Sequence, residues 1–68
     1  MKNNVAYFRN LYGLTQEDLA KDCNVRRETI IRIENGLNVP SIKLALKIQY
    51  VLGEPMHKLF WLSESEKP

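Results

Sequence analysis

Apolar residues recur along this chain at the three- and four-residue spacing of helices that bury one face, in five stretches parted by short polar breaks. Asn3 or Asn4 can cap a first helix running to about Tyr12, with Val5 and Phe8 inward and Gly13 ending it in a left-handed conformation; Leu14 anchors the link. Thr15 is a good N-cap for a second helix, about Gln16 to Asp22, and Asp18 completes a capping box with a shorter acid than the usual Glu or Gln. Leu19 and Ala20 form its buried face. Cys23-Asn24-Val25 reads as a tight turn, because Asn24 tolerates a left-handed backbone at low cost and Val25 can tuck beneath it. A third helix begins near Arg26 or Arg27 and buries Ile30 and Ile33. After a loop from Gly36 to Val39, Pro40-Ser41 sets up a fourth helix with Ser41 as N-cap. Its inner stripe is expected to be Ile42, Ala45, Ile48 and Leu52. Leu44, Leu46 and Val51 then lie off that stripe, more apolar area than a helix touching one core needs, so part of it is expected to face another chain. Gly53 ends this helix, and Pro55 suits the first turn of a fifth, through Met56, Leu59 and Phe60, with Trp61 and Leu62 following. The polar ending, Ser63 to Pro68, is expected to fray.

These elements predict an all-α, five-helix fold with one domain over residues 1–68. The stretch from Thr15 to Gly36 organises it, as two short helices joined by a tight turn. Ala20, four residues before Asn24, is small enough to let the helices cross closely at a steep angle.

This pattern resembles the helix-turn-helix of the Cro/CI (XRE) family of repressors, and the likeness runs from about Val5 to Phe60. Gln16 opens the first motif helix, Leu19-Ala20 carries its buried face, Val25 follows the turn, Thr29-Ile30 and Ile33 hold the second helix, and Glu34-Asn35-Gly36 ends it. Pro40-Ser41 stands where the family starts its next helix. The resemblance implies a lambda-repressor-like fold, and in the small stand-alone members the termini pair as short strands, so Met1 to Asn3 would lie beside Trp61 to Ser63. It also implies a structural ion pair between Arg9 and Glu34, tying the first helix to the end of the third. The chain departs from the family at Arg26, where Ser or Thr is usual, and at Gln49, where a small apolar residue is common. Arginine cannot accept the orphan amide hydrogens of a helix start, a loss of about 1 kcal/mol. Either the loss is tolerated or a phosphate contact offsets it.

Composition narrows the class. A chain of 68 residues, 44% apolar and 26% charged, is ordinary for a soluble globular protein, and one this short buries only about 60% of its unfolded surface, so help from a partner chain is expected. No apolar run is long enough for a membrane, and Met1 to Asn4 lacks a signal-peptide core, which points to the cytoplasm. One cysteine and one histidine exclude an internal disulfide and a metal cluster. Cys23 reads as a buried filler and His57 as solvated; Tyr7, Tyr12 and Tyr50 read as core edges. With no catalytic constellation, glycine-rich phosphate loop or cofactor motif, no enzyme is expected.

Net charge of +2 is only mildly basic, but Arg26, Arg27 and Arg32 gather on one short helix, opposed there by Glu28. Entry of that helix into a major groove places Arg27, Glu28, Ile31 and Arg32 on the side away from Ile30 and Ile33. Arginine matches guanine O6 and N7, glutamate accepts from cytosine N4, and isoleucine meets a thymine methyl. Gln16 can offer its backbone amide and side chain to a phosphate. Asn35, Asn38 and Lys43 border the following loop and can reach the backbone; Thr29 reads as partly buried packing. Leu37, Val39, Met56, Phe60 and Trp61 carry apolar surface in excess of one small core and are the candidate dimer interface. The expected partners are therefore double-stranded DNA and a second copy, with no cofactor. Regulation is left to dimer concentration or to a second protein. An antitoxin or protein-interaction module on the same fold is the alternative, separated by whether a purified complex contains a partner chain.

Overall fold

A computed structural model describes all 68 residues. In chain order it contains β1 (Lys2–Asn3), α1 (Val5–Leu11), α2 (Gln16–Asp22), α3 (Arg27–Glu34), α4 (Ile42–Leu52), α5 (Met56–Leu59), β2 (Phe60–Trp61) and a 3-10 turn, Glu64–Glu66. No helix is long and apolar enough to cross a membrane.

Local chemistry accounts for most boundaries. Thr15 Oγ1 accepts from the Asp18 amide at 3.0 Å while the Asp18 carboxylate accepts from the Thr15 amide at 2.9 Å, a complete capping box. Asn24 sits at φ 57°, and the Val25 amide donates back to Ala20 at 2.9 Å, closing the turn between α2 and α3. Arg26 occupies the N-cap of α3 in extended conformation with no side-chain cap. Ser41 caps α4, accepting from the Leu44 amide at 3.1 Å, and Gly53 at φ 69° ends it. At the first helix the side chain of Asn3 does the capping: it accepts from the Val5 amide at 3.1 Å and donates to the carbonyl of Ile33 at 3.0 Å, joining β1 to the end of α3.

The core is a single cluster drawn from every helix and β2, with Leu19, Ile30, Ile33, Ile48, Leu59, Val5 and Cys23 fully enclosed. Each large aliphatic among them contributes about 1.5–3 kcal/mol over an exposed position. Phe8, Leu14, Val25, Ala45, Val51 and Met56 pack around its rim.

Several expectations are corrected. The inner stripe of α4 is Leu44, Ile48 and Leu52, flanked by Ala45 and Val51, while Ile42 points outward. Both sets have helical spacing, and the side on which α2 and α5 lie selects between them. Phe60 is folded into the chain's own core, 8% exposed, so little of it remains for a second chain, and Met56 is half-buried against the same core. Tyr7, Tyr12 and Tyr50 are exposed rather than core edges. The ending does not fray: Ser63 and Glu66 form a capping box around the 3-10 turn, and the Met1 ammonium pairs with Glu66 at 2.7 Å. The termini do pair as antiparallel strands, one residue earlier than expected, with Lys2 opposite Trp61 and Asn3 opposite Phe60. Pro55 is the N-cap of α5 rather than part of its first turn.

Candidate nucleic-acid interface

The candidate recognition surface is built from α3 and the start of α2. On α3 the inward positions Ile30 and Ile33 leave Arg27, Glu28 and Arg32 exposed on the far side, with Ile31 half-buried beside them and Thr29 half-buried at the edge. Arg26 is exposed at the head of the helix. None of Arg26, Arg27 and Arg32 enters an ion pair, so their charges are free to act outward.

Arg27 also lines an open polar groove with Arg9, Asn10, Thr15, Gln16 and Glu17, at the point where α1 hands over to α2. Arg27 is the arginine of this groove that has no acidic partner, and it stands beside the exposed start of α2. The floor of the groove is fixed by a buried ion pair. Arg9 Nε donates to Glu34 Oε2 at 2.7 Å and Nη2 donates to Oε1 at 3.2 Å, with the two side chains only 11% and 4% exposed. Arg9 Nη1 donates further to the carbonyl of Leu14 at 2.8 Å and to Asn10 Oδ1 at 3.2 Å. The Gln16 amide donates to Glu34 Oε1 at 3.0 Å. The side chain expected to reach a phosphate is thus held by the acid at the end of α3, which sets the position of α2 against α3.

At the other end of α3, Asn35 is the exposed C-cap. The Asn38 amide, turned with its oxygen toward Arg32, accepts from Arg32 Nε at 3.1 Å and donates to the carbonyl of Leu37 at 2.9 Å. This contact steadies one exposed guanidinium of the recognition face. Lys43, on the first turn of α4, is exposed beside Asp22 and Asn24, on the flank of the α2–α3 turn. Of the candidate interface residues, Arg27, Glu28 and Arg32 are exposed along α3 with Arg26 at its head, Gln16 adjoins them through the groove, and Asn35 and Asn38 lie past the far end of the helix. One contact has no local signal in the sequence: Lys47 Nζ donates to the carbonyl of Cys23 at 3.3 Å, closing the end of α2 from α4, 24 residues away.

Comparison with known proteins agrees with this geometry. The helix-turn-helix family matches residues 5–59. The chain belongs to the XRE-type helix-turn-helix family of transcriptional regulators. An uncharacterised HTH-type transcriptional regulator of Methanocaldococcus jannaschii is 48% identical over 66 residues, 97% of this chain and 100% of that protein. The regulator YgzD of Bacillus subtilis is 44% identical over 64 residues, 94% of this chain and 97% of its own length. Among solved structures, the N-terminal DNA binding domain of SinR from Bacillus subtilis superposes with a TM-score of 0.74 at 28% identity, covering 93% of this chain and 90% of that one. The helical fold is therefore that of a helix-turn-helix DNA-binding domain, and this chain adds to it a short antiparallel strand pair between its termini.

Proposed function

We propose that this chain is a sequence-specific double-stranded DNA-binding regulator that works as a homodimeric repressor on a palindromic operator. The observation that carries the reading is the exposed, unpaired set of Arg27 and Arg32 on α3 with Arg26 at its head, beside the polar groove at the start of α2. In this reading α3 enters the major groove, with Arg27 and Arg32 donating to guanine, Glu28 accepting from cytosine and Ile31 against a thymine methyl. Arg26, Asn35, Asn38, Lys43 and the backbone of Gln16 contact phosphates. One recognition helix offers few base contacts, and a two-fold doubles them. Of the candidate interface residues, Leu37, Val39 and Trp61 remain exposed and are assigned to that two-fold. Occupying an operator blocks polymerase.

Selection from random duplex DNA across a salt series tests the proposal. A palindrome whose half-sites lie about 34 Å apart, one helical turn, is expected. Log affinity should fall against log salt with a slope of about 0.9 per phosphate contacted. Weak, sequence-blind retention would refute it.

A further inference from the structure

On the side of α4 turned away from the core, Ile42, Leu46 and Tyr50 follow one another at four-residue intervals, 81%, 52% and 89% exposed. They span about 12 Å along the helix. Three large apolar side chains in line at helical spacing form a face suited to packing against another helix, and nothing in this chain covers it. Leu46 and Tyr50 make a ridge with a groove on either side. One groove, toward the end of α2, is lined by Asp22, Asn24, Lys43 and Lys47. The other, toward α5, is lined by Gln49, Gly53, Glu54 and Pro55.

Charge around the ridge is uneven. The edge toward α2 carries Lys43 and Lys47 against the single acid Asp22, and the contact from Lys47 to the Cys23 carbonyl holds that ammonium at the rim. On the opposite edge Gln49 is neutral, and the Glu54 carboxylate already accepts from the Tyr12 hydroxyl. A second copy laid antiparallel over this face on a two-fold axis keeps each lysine edge on the same side, so the lysines of both copies would meet. Like charges brought together across an interface select against that pairing, whereas an acidic edge complements it.

We propose that the outer face of α4 docks an amphipathic helix of a partner protein whose apolar stripe is bordered on one edge by Asp or Glu. The polar groove of the DNA face shares no residue with either groove beside the ridge, and of the phosphate contacts proposed above only Lys43 borders the ridge. The apolar ridge itself, Ile42, Leu46 and Tyr50, lies outside the DNA-binding reading, and this docking goes beyond it.

Two synthetic helical peptides test it, each with leucines spaced to match the stripe, one with glutamates along an edge and one with lysines there. Each is titrated into the isotope-labelled full chain while amide shifts are followed. The acidic peptide should move amides around Leu46 and Tyr50 and bind at least about tenfold more tightly than the basic one. A Leu46→Ser, Tyr50→Ser double variant, changed only at exposed sites and checked for fold by its amide spectrum, should lose about tenfold or more in acidic-peptide affinity while binding DNA as before. Equal binding of both peptides, no shift with either, or shifts confined to other faces would overturn the proposal. Loss of self-association in the double variant, seen by sedimentation, would also overturn it by giving the face to a second copy.

Discussion

Arg9 is held by four hydrogen bonds, two of them to a carboxylate that is almost wholly enclosed. Removing the guanidinium leaves Glu34 charged and buried with only Gln16 to satisfy it, at a cost of about 3–5 kcal/mol. For a domain whose total stability is on the order of 5–15 kcal/mol, Arg9→Ala should unfold the chain or lower its urea midpoint steeply. An unchanged unfolding curve would refute the structural role. The arginines of the recognition face should behave oppositely. Arg27→Ala should leave stability nearly unchanged, weaken operator binding by about 1–3 kcal/mol and relax preference at one base position. Arg26→Ser, which restores a cap acceptor, should gain about 1 kcal/mol of stability. If Arg26 contacts a phosphate, the same variant also binds DNA more weakly with a shallower salt slope; equal affinity would show that the missing cap is merely tolerated. The residues of the ion pair were legible through family resemblance, but the hold of Glu34 on Gln16 was not. It joins positions 18 apart, and no local pattern distinguishes a glutamine facing solvent from one facing a carboxylate.

Among the elements, α2 depends most visibly on a local device. Thr15→Ala should cost about 1 kcal/mol by thermal or urea unfolding, because an orphan amide loses its acceptor. Asp18 extends this to pH. The backbone hydrogen bond from Thr15, followed by that from the Thr15 hydroxyl, holds its carboxyl below the ordinary value of 3.8. A carboxylate with a lowered folded pKa contributes stability that is present above its unfolded pKa and is lost as pH falls through the folded value. The stability difference between the parent chain and Asp18→Asn should therefore be constant near neutrality and shrink below about pH 4. A difference that grows on acidification would contradict the capping box. The start of α2 was readable because cap and acid stand three residues apart. The face of α4 was not. Leu44, Ile48 and Leu52 share one helical phase and Ile42, Leu46 and Tyr50 share another, so spacing alone offers two apolar stripes. Only the position of the neighbouring helices decides which is inside.

At the scale of the molecule, the termini close on each other. β1 pairs with β2, and the Met1 ammonium, the main cause, together with Ser63 brings the Glu66 carboxyl down from 4.5 to about 2. By the same sign rule, this contribution is complete above about pH 4.5 and is lost as pH falls toward 2. Glu66→Gln should loosen the ending at neutral pH, seen as faster amide exchange around Glu64 to Lys67; unchanged exchange would count against the clasp. If the two-fold uses Leu37, Val39 and Trp61, then Leu37→Ser with Val39→Ser should give a folded monomer that binds single half-sites weakly, whereas a parent chain already monomeric at micromolar concentration would exclude the dimer. The sequence by itself determined the helices, the caps of α2 and α4, the Asn24 turn and the exposed arginines of α3, because each depends on residues within a few positions of one another. Tertiary structure alone decided that Phe60 belongs to the core, that Ile42, Leu46 and Tyr50 stand uncovered, and that Gln16 and Lys47 hold partners far along the chain. Burial and side-chain partnership depend on where distant elements come to rest, and local spacing carries no record of that.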